Sequence, residues 1–226
     1  MLETCAPARR RSYITLPGYR AGMDAPNKGK TYPAEPLTRE EVGALLAACS
    51  RRGSAGLRTR ALIVLLYRTG LRISEALDLE VKDIDLGAGT VTTLHGKGDR
   101  RRTVGMDAQA QAVLEQWLAR RRELGLRGGI VFCVITHGPR LGGRQHSSVV
   151  RETLKDLAVK AGIDKRVHPH GLRHTHAVEI AREGVPLHII RRQLGHANLG
   201  TTARYIDHLS PQDVIDAIHH RPAWGP

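Results

Sequence analysis

Residues 57–75 of this 226-residue chain run Leu57-Arg58-Thr59-Arg60-Ala61-Leu62-Ile63-Val64-Leu65-Leu66-Tyr67-Arg68-Thr69-Gly70-Leu71-Arg72-Ile73-Ser74-Glu75. From Leu57 to Thr69 the spacing predicts a helix, and the unbroken apolar run Ala61–Leu66 leaves it no solvent face, so it belongs at the centre of a core. Gly70 is placed to close it in a left-handed turn, a conformation glycine adopts without a Cβ penalty. Arg72 therefore follows immediately after a buried helix. A cation is being held in a rigid place.

Working outward, Thr38-Arg39-Glu40-Glu41 has the spacing of a capping box, followed by the stripe Val42, Leu45, Leu46. Downstream, short β-like runs are expected at Lys82–Leu86, Thr90–Leu94 and Thr103–Met106, separated by glycine-rich turns. Asp107 can cap a helix to about Leu124, and Ile130–Ile135 reads as a strand or a buried apolar run. Ser147 or Ser148 opens a helix ending near Gly162. Three closely spaced helices follow, at about Leu172–Glu183, Pro186–Leu194 and Thr201–Ile206, with Pro186 at a first helical position and Gly195 at an end. A last short helix starts at Ser210-Pro211-Gln212-Asp213. The expectation is a mainly α domain with one small antiparallel sheet.

Residues 1–36 differ from the rest. They are rich in Pro, Gly and basic residues (Arg9, Arg10, Arg11, Arg20, Lys28, Lys30) and have no sustained period, as in an extended basic arm or a solvated leader. Net charge is +13 with a pI near 10.4, which favours polyanionic partners. Aromatics make up only 4%, too few for the stacking platforms of a single-strand binder, so double-stranded DNA gripped through its phosphates fits better. Cys5, Cys49 and Cys133 have neither disulfide nor zinc spacing, as expected of a reducing cytoplasm. No stretch resembles a signal peptide or a membrane span.

The chemistry-bearing residues lie far apart in sequence. His170-Gly171-Leu172-Arg173-His174, Leu194-Gly195-His196 and Tyr205 fall near the C-terminus, with Arg72 and Gly96-Lys97-Gly98 upstream. A phosphodiester under attack gathers negative charge on its non-bridging oxygens, and guanidiniums, always charged and bidentate, suit that charge. Arg72 and Arg173 are the candidates; each alone would read as a backbone-phosphate contact or an ion pair. Losing one preorganised donor from such a site costs on the order of 10²–10³ in rate. His170 is three residues before Arg173 and shares its helical face if the helix starts early enough. His196, after Gly195, can bond a phosphate oxygen or assist proton transfer. Tyr205 is a weak nucleophile until cations lower its pKa and a histidine takes its proton. Lys97, at a turn between two strands, could protonate the leaving 5′ oxygen.

His168, His174 and His176 read as surface or packing residues. His170 and His174, at i and i+4, could face a metal together, but only Glu179 accompanies them, so no metal is expected. The glycine-flanked Lys97 lacks the full phosphate-loop pattern.

Taken together, these residues resemble the tyrosine recombinase (phage integrase) family over about Glu35–Leu209. Thr69-Gly70-Leu71-Arg72-Ile73-Ser74-Glu75 is similar to the first family box; His170-Gly171-Leu172-Arg173-His174-Thr175 and Leu194-Gly195-His196 through Tyr205 are similar to the second. The order Arg72, Lys97, His170, Arg173, His196, Tyr205 matches the family set, as does the interval from His196 to Tyr205. The resemblance implies a tyrosine recombinase catalytic domain at 37–209, with 1–36 as arm and 210–226 as a segment for subunit docking. It implies attack by Tyr205, a 3′-phosphotyrosyl link and a free 5′-hydroxyl, with no cofactor, metal or ATP. It also implies a tetramer on paired DNA sites, a partner recombinase or accessory protein, a cytoplasmic enzyme associated with the nucleoid when on DNA, and a mobile-element origin.

Glu75 and His174 would be supporting residues, and Arg9, Arg10, Arg11, Arg100, Arg101 and Arg102 contacts to DNA. In place of the family's usual core-binding domain only about 36 residues precede Thr38, as in the family's short forms. Thr103-Val104-Gly105-Met106 lacks the proline common in the family after the hairpin. The competing readings are a type IB topoisomerase-like enzyme, a metal-dependent nuclease, and a DNA-binding accessory or regulatory protein that has lost catalysis.

Overall fold

The computed structural model describes residues 35–50, 52–95, 100–126, 128–196 and 219. Within them the chain folds as seven α-helices and one three-stranded antiparallel sheet: α1 (Arg39–Ala48), α2 (Ser54–Thr69), α3 (Ile73–Asp78), β1 (Ile84–Asp85), β2 (Thr90–His95), β3 (Arg100–Gly105), α4 (Ala108–Glu123), α5 (Ser147–Lys160), α6 (Pro169–Arg182) and α7 (Leu187–Leu194).

Helix α2 occupies the centre, as its apolar run requires. Every residue from Ala61 to Tyr67 is buried, and α4 and α6 pack against it. It starts three residues earlier than the apolar run suggests, at Ser54. It stops at Gly70 in the left-handed conformation (φ 65°, ψ 24°), whose amide bonds Leu66 O. Thr38 and Glu41 form the capping box of α1 in both directions (3.2 and 2.7 Å), worth about 1 kcal/mol. Asp107 caps α4 through the Ala110 amide at 2.8 Å.

The sheet runs in the order β1-β2-β3, with Val91 opposite Val104 and His95 opposite Arg100. Alternation along β3 turns Arg102 and Val104 inward and leaves Arg101 and Thr103 exposed. One expectation is corrected here. The run expected to form a strand from Lys82 begins as a 3₁₀ turn (Val81–Asp83), leaving only two residues of strand. Of the two readings of Ile130–Ile135, the structure shows the buried apolar run: Val131, Phe132 and Cys133 are buried, and isolated bridges from Ile130 to Glu80 and from Cys133 to Arg144, with the Val131 amide donating to Leu79 O at 2.9 Å, stand in for a strand ladder. Trp117, fully buried, donates its indole N–H to Val131 O at 2.9 Å, so α4 supplies a partner the ladder does not.

Helix α6 starts at Pro169 rather than Leu172, with the proline in its first turn, where its missing N–H costs nothing. Pro186, expected inside α7, is instead its N-cap in extended conformation (ψ 139°). A satellite core of Ala177, Ile190 and Leu194 joins α6 to α7. Gly195 ends α7 at φ 67°, ψ 45°. Among the described residues no helix is long and apolar enough to cross a membrane, and no three His, Cys, Asp or Glu side chains are grouped as a metal site.

Candidate active site

The early start of α6 puts His170 and Arg173 on one helical element, and Arg173 points from it into the interior. It is one of the largest fully buried side chains, at 1% exposure. Burying a guanidinium is costly unless its N–H groups find acceptors. Here two helix ends supply them. Nη1 donates to Gly70 O at 2.6 Å, just past α2, and Nη2 donates to Leu194 O at 2.7 Å, the last residue of α7. Both are C-terminal ends, where the helix dipole is negative and carbonyls lack intrahelical partners. The two glycine caps recognised in the sequence thus have a common purpose: each turns its chain sharply enough to aim a carbonyl at one arginine.

His196 follows directly. Its Nε2 lies 2.8 Å from Arg173 Nη2. A guanidinium can only donate, so Nε2 accepts and the ring proton resides on Nδ1. The ring is neutral: burial, reinforced by the Arg173, Arg72 and Arg102 charges, pushes its pKa down to about 4.

Arg72 precedes α3 as its N-cap, and its guanidinium reaches back across the same junction. Nη1 pairs with Glu75 Oε1 at 2.8 Å, and Nη2 contacts Gly195 O at 3.4 Å. Its side chain is 40% exposed, so this cation faces both the site and solvent. Glu75, by contrast, is buried. It accepts the Arg72 amide through Oε2 at 2.8 Å and the Arg102 guanidinium through the same oxygen at 2.7 Å. Burial pushes the Glu75 carboxyl up, but the Arg72 amide and the Arg102 and Arg72 guanidiniums outweigh it and hold the pKa below the usual value.

His170 is exposed, 6.5 Å ring to ring from His168. Crowding on its inner side, then the Arg173, His168 and Arg72 charges, lowers its pKa. His174 and His176, read from sequence as surface or packing residues, are both buried, at 4% and 5% exposure. A Cβ on Gly70 would fall 2.7 Å from the His176 ring, so this histidine is packing under the glycine cap. Burial pushes its pKa down to about 4.

The structure therefore brings together Arg72, Arg173, His196 and Glu75, with His170 at the rim. Lys97 and Tyr205 lie outside the described residues, as do Arg9, Arg10, Arg11, residues 1–34 and all of 210–226 except His219. Lys97 belongs to the four-residue connection between paired His95 and Arg100. Arg101 is exposed. Arg102, grouped in sequence with its neighbours as a DNA contact, is instead turned inward, only 12% exposed, with Glu75 and Gln193 O as partners. The signal for this was present: Arg102 shares strand parity with Val104, which is plainly a core residue. Gln193, which sequence reasoning passed over, pairs with both backbone groups of Gly105 (3.2 and 3.0 Å) and with Thr69 O (3.2 Å), fastening α7 to β3 and α2.

Residues 35–211 match the phage integrase family. The chain is 36% identical over 203 residues to the tyrosine recombinase XerC of Chromobacterium violaceum, covering 89% of this chain and 65% of that protein. It spans less than two thirds of the length of this and other curated relatives it matches. Among solved structures, the XerA recombinase superposes with a TM-score of 0.70 at 30% identity, covering 86% of this chain and 68% of that one. The XerH site-specific recombinase, in a post-cleavage complex with its palindromic difH substrate, gives 0.67 at 28% identity, covering 83% and 53%. The catalytic domain of bacteriophage HP1 integrase shares the fold at 0.52 and 23% identity, covering 83% and 95%.

Proposed function

The chain belongs to the phage integrase family, and from that membership and the geometry of its buried arginine we propose that it is a site-specific DNA recombinase with Tyr205 as nucleophile. One observation carries the reading. Arg173, His196 and Arg72 meet at the joined ends of α2 and α7, a rigid cationic junction with one face open through Arg72. The similarity to a recombinase captured with cleaved DNA supports a phosphodiester as the group that meets it.

In this reading Arg72 and Arg173 bind the non-bridging oxygens, where charge grows in the transition state. The Tyr205 oxygen attacks phosphorus and gives its proton to His170, whose lowered pKa keeps it an acceptor at neutral pH. The phosphorus–O5′ bond breaks, and Lys97 protonates the departing 5′ oxygen. His196 bears its ring proton on Nδ1 and can donate it to a phosphate oxygen. A 3′-phosphotyrosyl bond replaces the phosphodiester, so the energy of the link is retained for rejoining by a second 5′-hydroxyl. No step consumes ATP or calls for a metal.

Glu75 and His174 support the site, Glu75 by fixing Arg72. Duplex DNA is the partner, gripped in part by Arg100, Arg101 and the basic residues Arg9, Arg10 and Arg11. A tetramer on paired sites, docked through residues 210–226, with a partner recombinase or accessory protein, completes the proposal, along with a mobile-element origin and a place on the nucleoid. The domain division is 1–36, 37–209 and 210–226.

The test is covalent trapping. Protein is incubated in chelator with fragmented DNA from the source organism, stopped with detergent, and the attached DNA sequenced, for wild type and Tyr205→Phe. Adducts in wild type alone support the proposal. Adducts in neither, with duplex binding intact, favour an accessory role; cleavage abolished by chelator favours a metal-dependent nuclease.

A further inference from the structure

The basic run Arg100-Arg101-Arg102 at the start of β3 has the look of three phosphate contacts, but the third member is built into the scaffold of the site. Its guanidinium spans two groups: Nη2 pairs with Glu75 Oε2 at 2.7 Å, and Nη1 donates to Gln193 O. Glu75 is the carboxylate that fixes Arg72, and Gln193 lies three residues before His196 on the last turn of α7. The same guanidinium lies over Gly195. A Cβ there would fall 2.8 Å from Arg102 Nε, 2.9 Å from Cδ and 3.0 Å from Cζ. Gly195 is thus required twice, for its left-handed φ and for the arginine lying against it.

We infer that Arg102 is a positioning residue, whose guanidinium clamps the Glu75–Arg72 pair to the end of α7 and so sets the distance between Arg72 and His196. The inference rests on the recombinase reading for its catalytic consequence, though not for the clamp itself. Lysine cannot replace it, because a single ammonium lacks the planar fork that reaches two acceptors in fixed directions. Arg102 keeps its own charge balanced by Glu75, even though burial pulls its pKa down. A cation already committed to a carboxylate and a carbonyl has little left for a passing phosphate.

The test uses the full chain with Arg102→Lys and Arg102→Met, both checked for folding by urea denaturation. Three quantities are read: the rate of covalent adduct formation on source-organism DNA, the affinity and salt slope for random-sequence duplex, and the titration midpoint of His196 by NMR. Both variants are expected to lose about 10²-fold in adduct rate, the scale of a small misplacement of reacting groups, with duplex affinity within about twofold and an unchanged salt slope. In Arg102→Lys, which keeps the charge beside His196, the His196 midpoint is expected to move up from about 4 as the end of α7 loosens and the burial that lowers it lessens.

A weaker duplex affinity with a salt slope lower by about one, and an unchanged rate on bound DNA, would make Arg102 a phosphate contact and overturn the inference. Full rate in Arg102→Lys would overturn it too, since charge alone would then suffice. If wild type forms no adduct, the recombinase reading fails, but the His196 midpoint still decides the clamp: no movement in Arg102→Lys refutes it.

Discussion

Replacing Gly70 with alanine tests the junction at its tightest point. The residue holds φ 65°, where an L side chain costs about 1–2 kcal/mol. The added Cβ would fall 2.6 Å from Leu194 Cδ2 and 2.7 Å from His176 Cδ2, and both side chains are buried with little room to retreat. Overpacking of that kind costs a further 1–3 kcal/mol or so, giving roughly 2–5 kcal/mol in total. Gly162 is the control: its φ is 68°, but nothing lies within 4 Å of its Cβ position, so Gly162→Ala should carry the backbone cost alone. With a urea m-value of about 2 kcal/mol/M, the midpoint should drop by roughly 1–2.5 M for Gly70→Ala and by about 0.5–1 M for Gly162→Ala. The assay is urea unfolding of all three proteins at constant pH. Equal midpoints for the two variants would refute the close packing of Leu194 and His176 on the α2 cap, and with it the claim that two helix ends share one rigid junction.

Two further predictions concern charge. Glu75→Gln leaves two guanidiniums facing each other without their carboxylate; the cost is expected near the lower end of the 3–5 kcal/mol scale for a broken buried pair, about 3 kcal/mol, because the Arg72 side is 40% exposed and screened. Since the folded Glu75 pKa lies below its unfolded value near 4.5, its contribution is full above that value and is lost as pH falls through the lowered one, so the stability gap between wild type and Glu75→Gln should narrow in acid. A gap that stays constant from neutral pH into acid contradicts the pairing. His196 and His176, with folded pKa values near 4 against an ordinary 6.5, should stay neutral to well below pH 6, so the unfolded chain binds more protons between about 6.5 and 4 and stability falls as pH drops through that window. Ring-nitrogen NMR should show His196 as the Nδ1–H tautomer at pH 7; a midpoint near 6.5 or an Nε2–H tautomer would break its link to Arg173.

Much of this architecture was legible because it rests on local rules. An apolar run with no polar face must be central, and Gly70 and Gly195 announce left-handed caps by type and position. What the sequence could not supply is why both caps matter together, since the carbonyls they aim at Arg173 come from residues 124 positions apart. Arg102 was misleading for a related reason: within a basic tripeptide its charge spoke louder than its strand parity with Val104. Pro186 is suited by its fixed φ to a first helical position, yet it stands one place earlier as the N-cap, its carbonyl accepting from the Ile189 and Ile190 amides at 2.9 and 3.1 Å. The Ile130–Ile135 run shows the limit of periodicity: burial demanded apolar side chains, while Trp117 and isolated bridges replaced the ladder that would have marked a strand.

The Arg72–Arg173–His196 junction is proposed to serve a tyrosine, Tyr205, that becomes covalently joined to DNA. The most direct measurement is to digest trapped adducts with trypsin and nuclease and sequence the nucleotide-bearing peptide by mass spectrometry, while labelling the opposite DNA end with polynucleotide kinase. A 3′-nucleotide on the peptide containing Tyr205 and a free 5′-hydroxyl that accepts label without prior phosphatase treatment are expected, both formed in chelator. Ends bearing 5′-phosphate and 3′-hydroxyl with no peptide attached, or an adduct on any other residue, would contradict it.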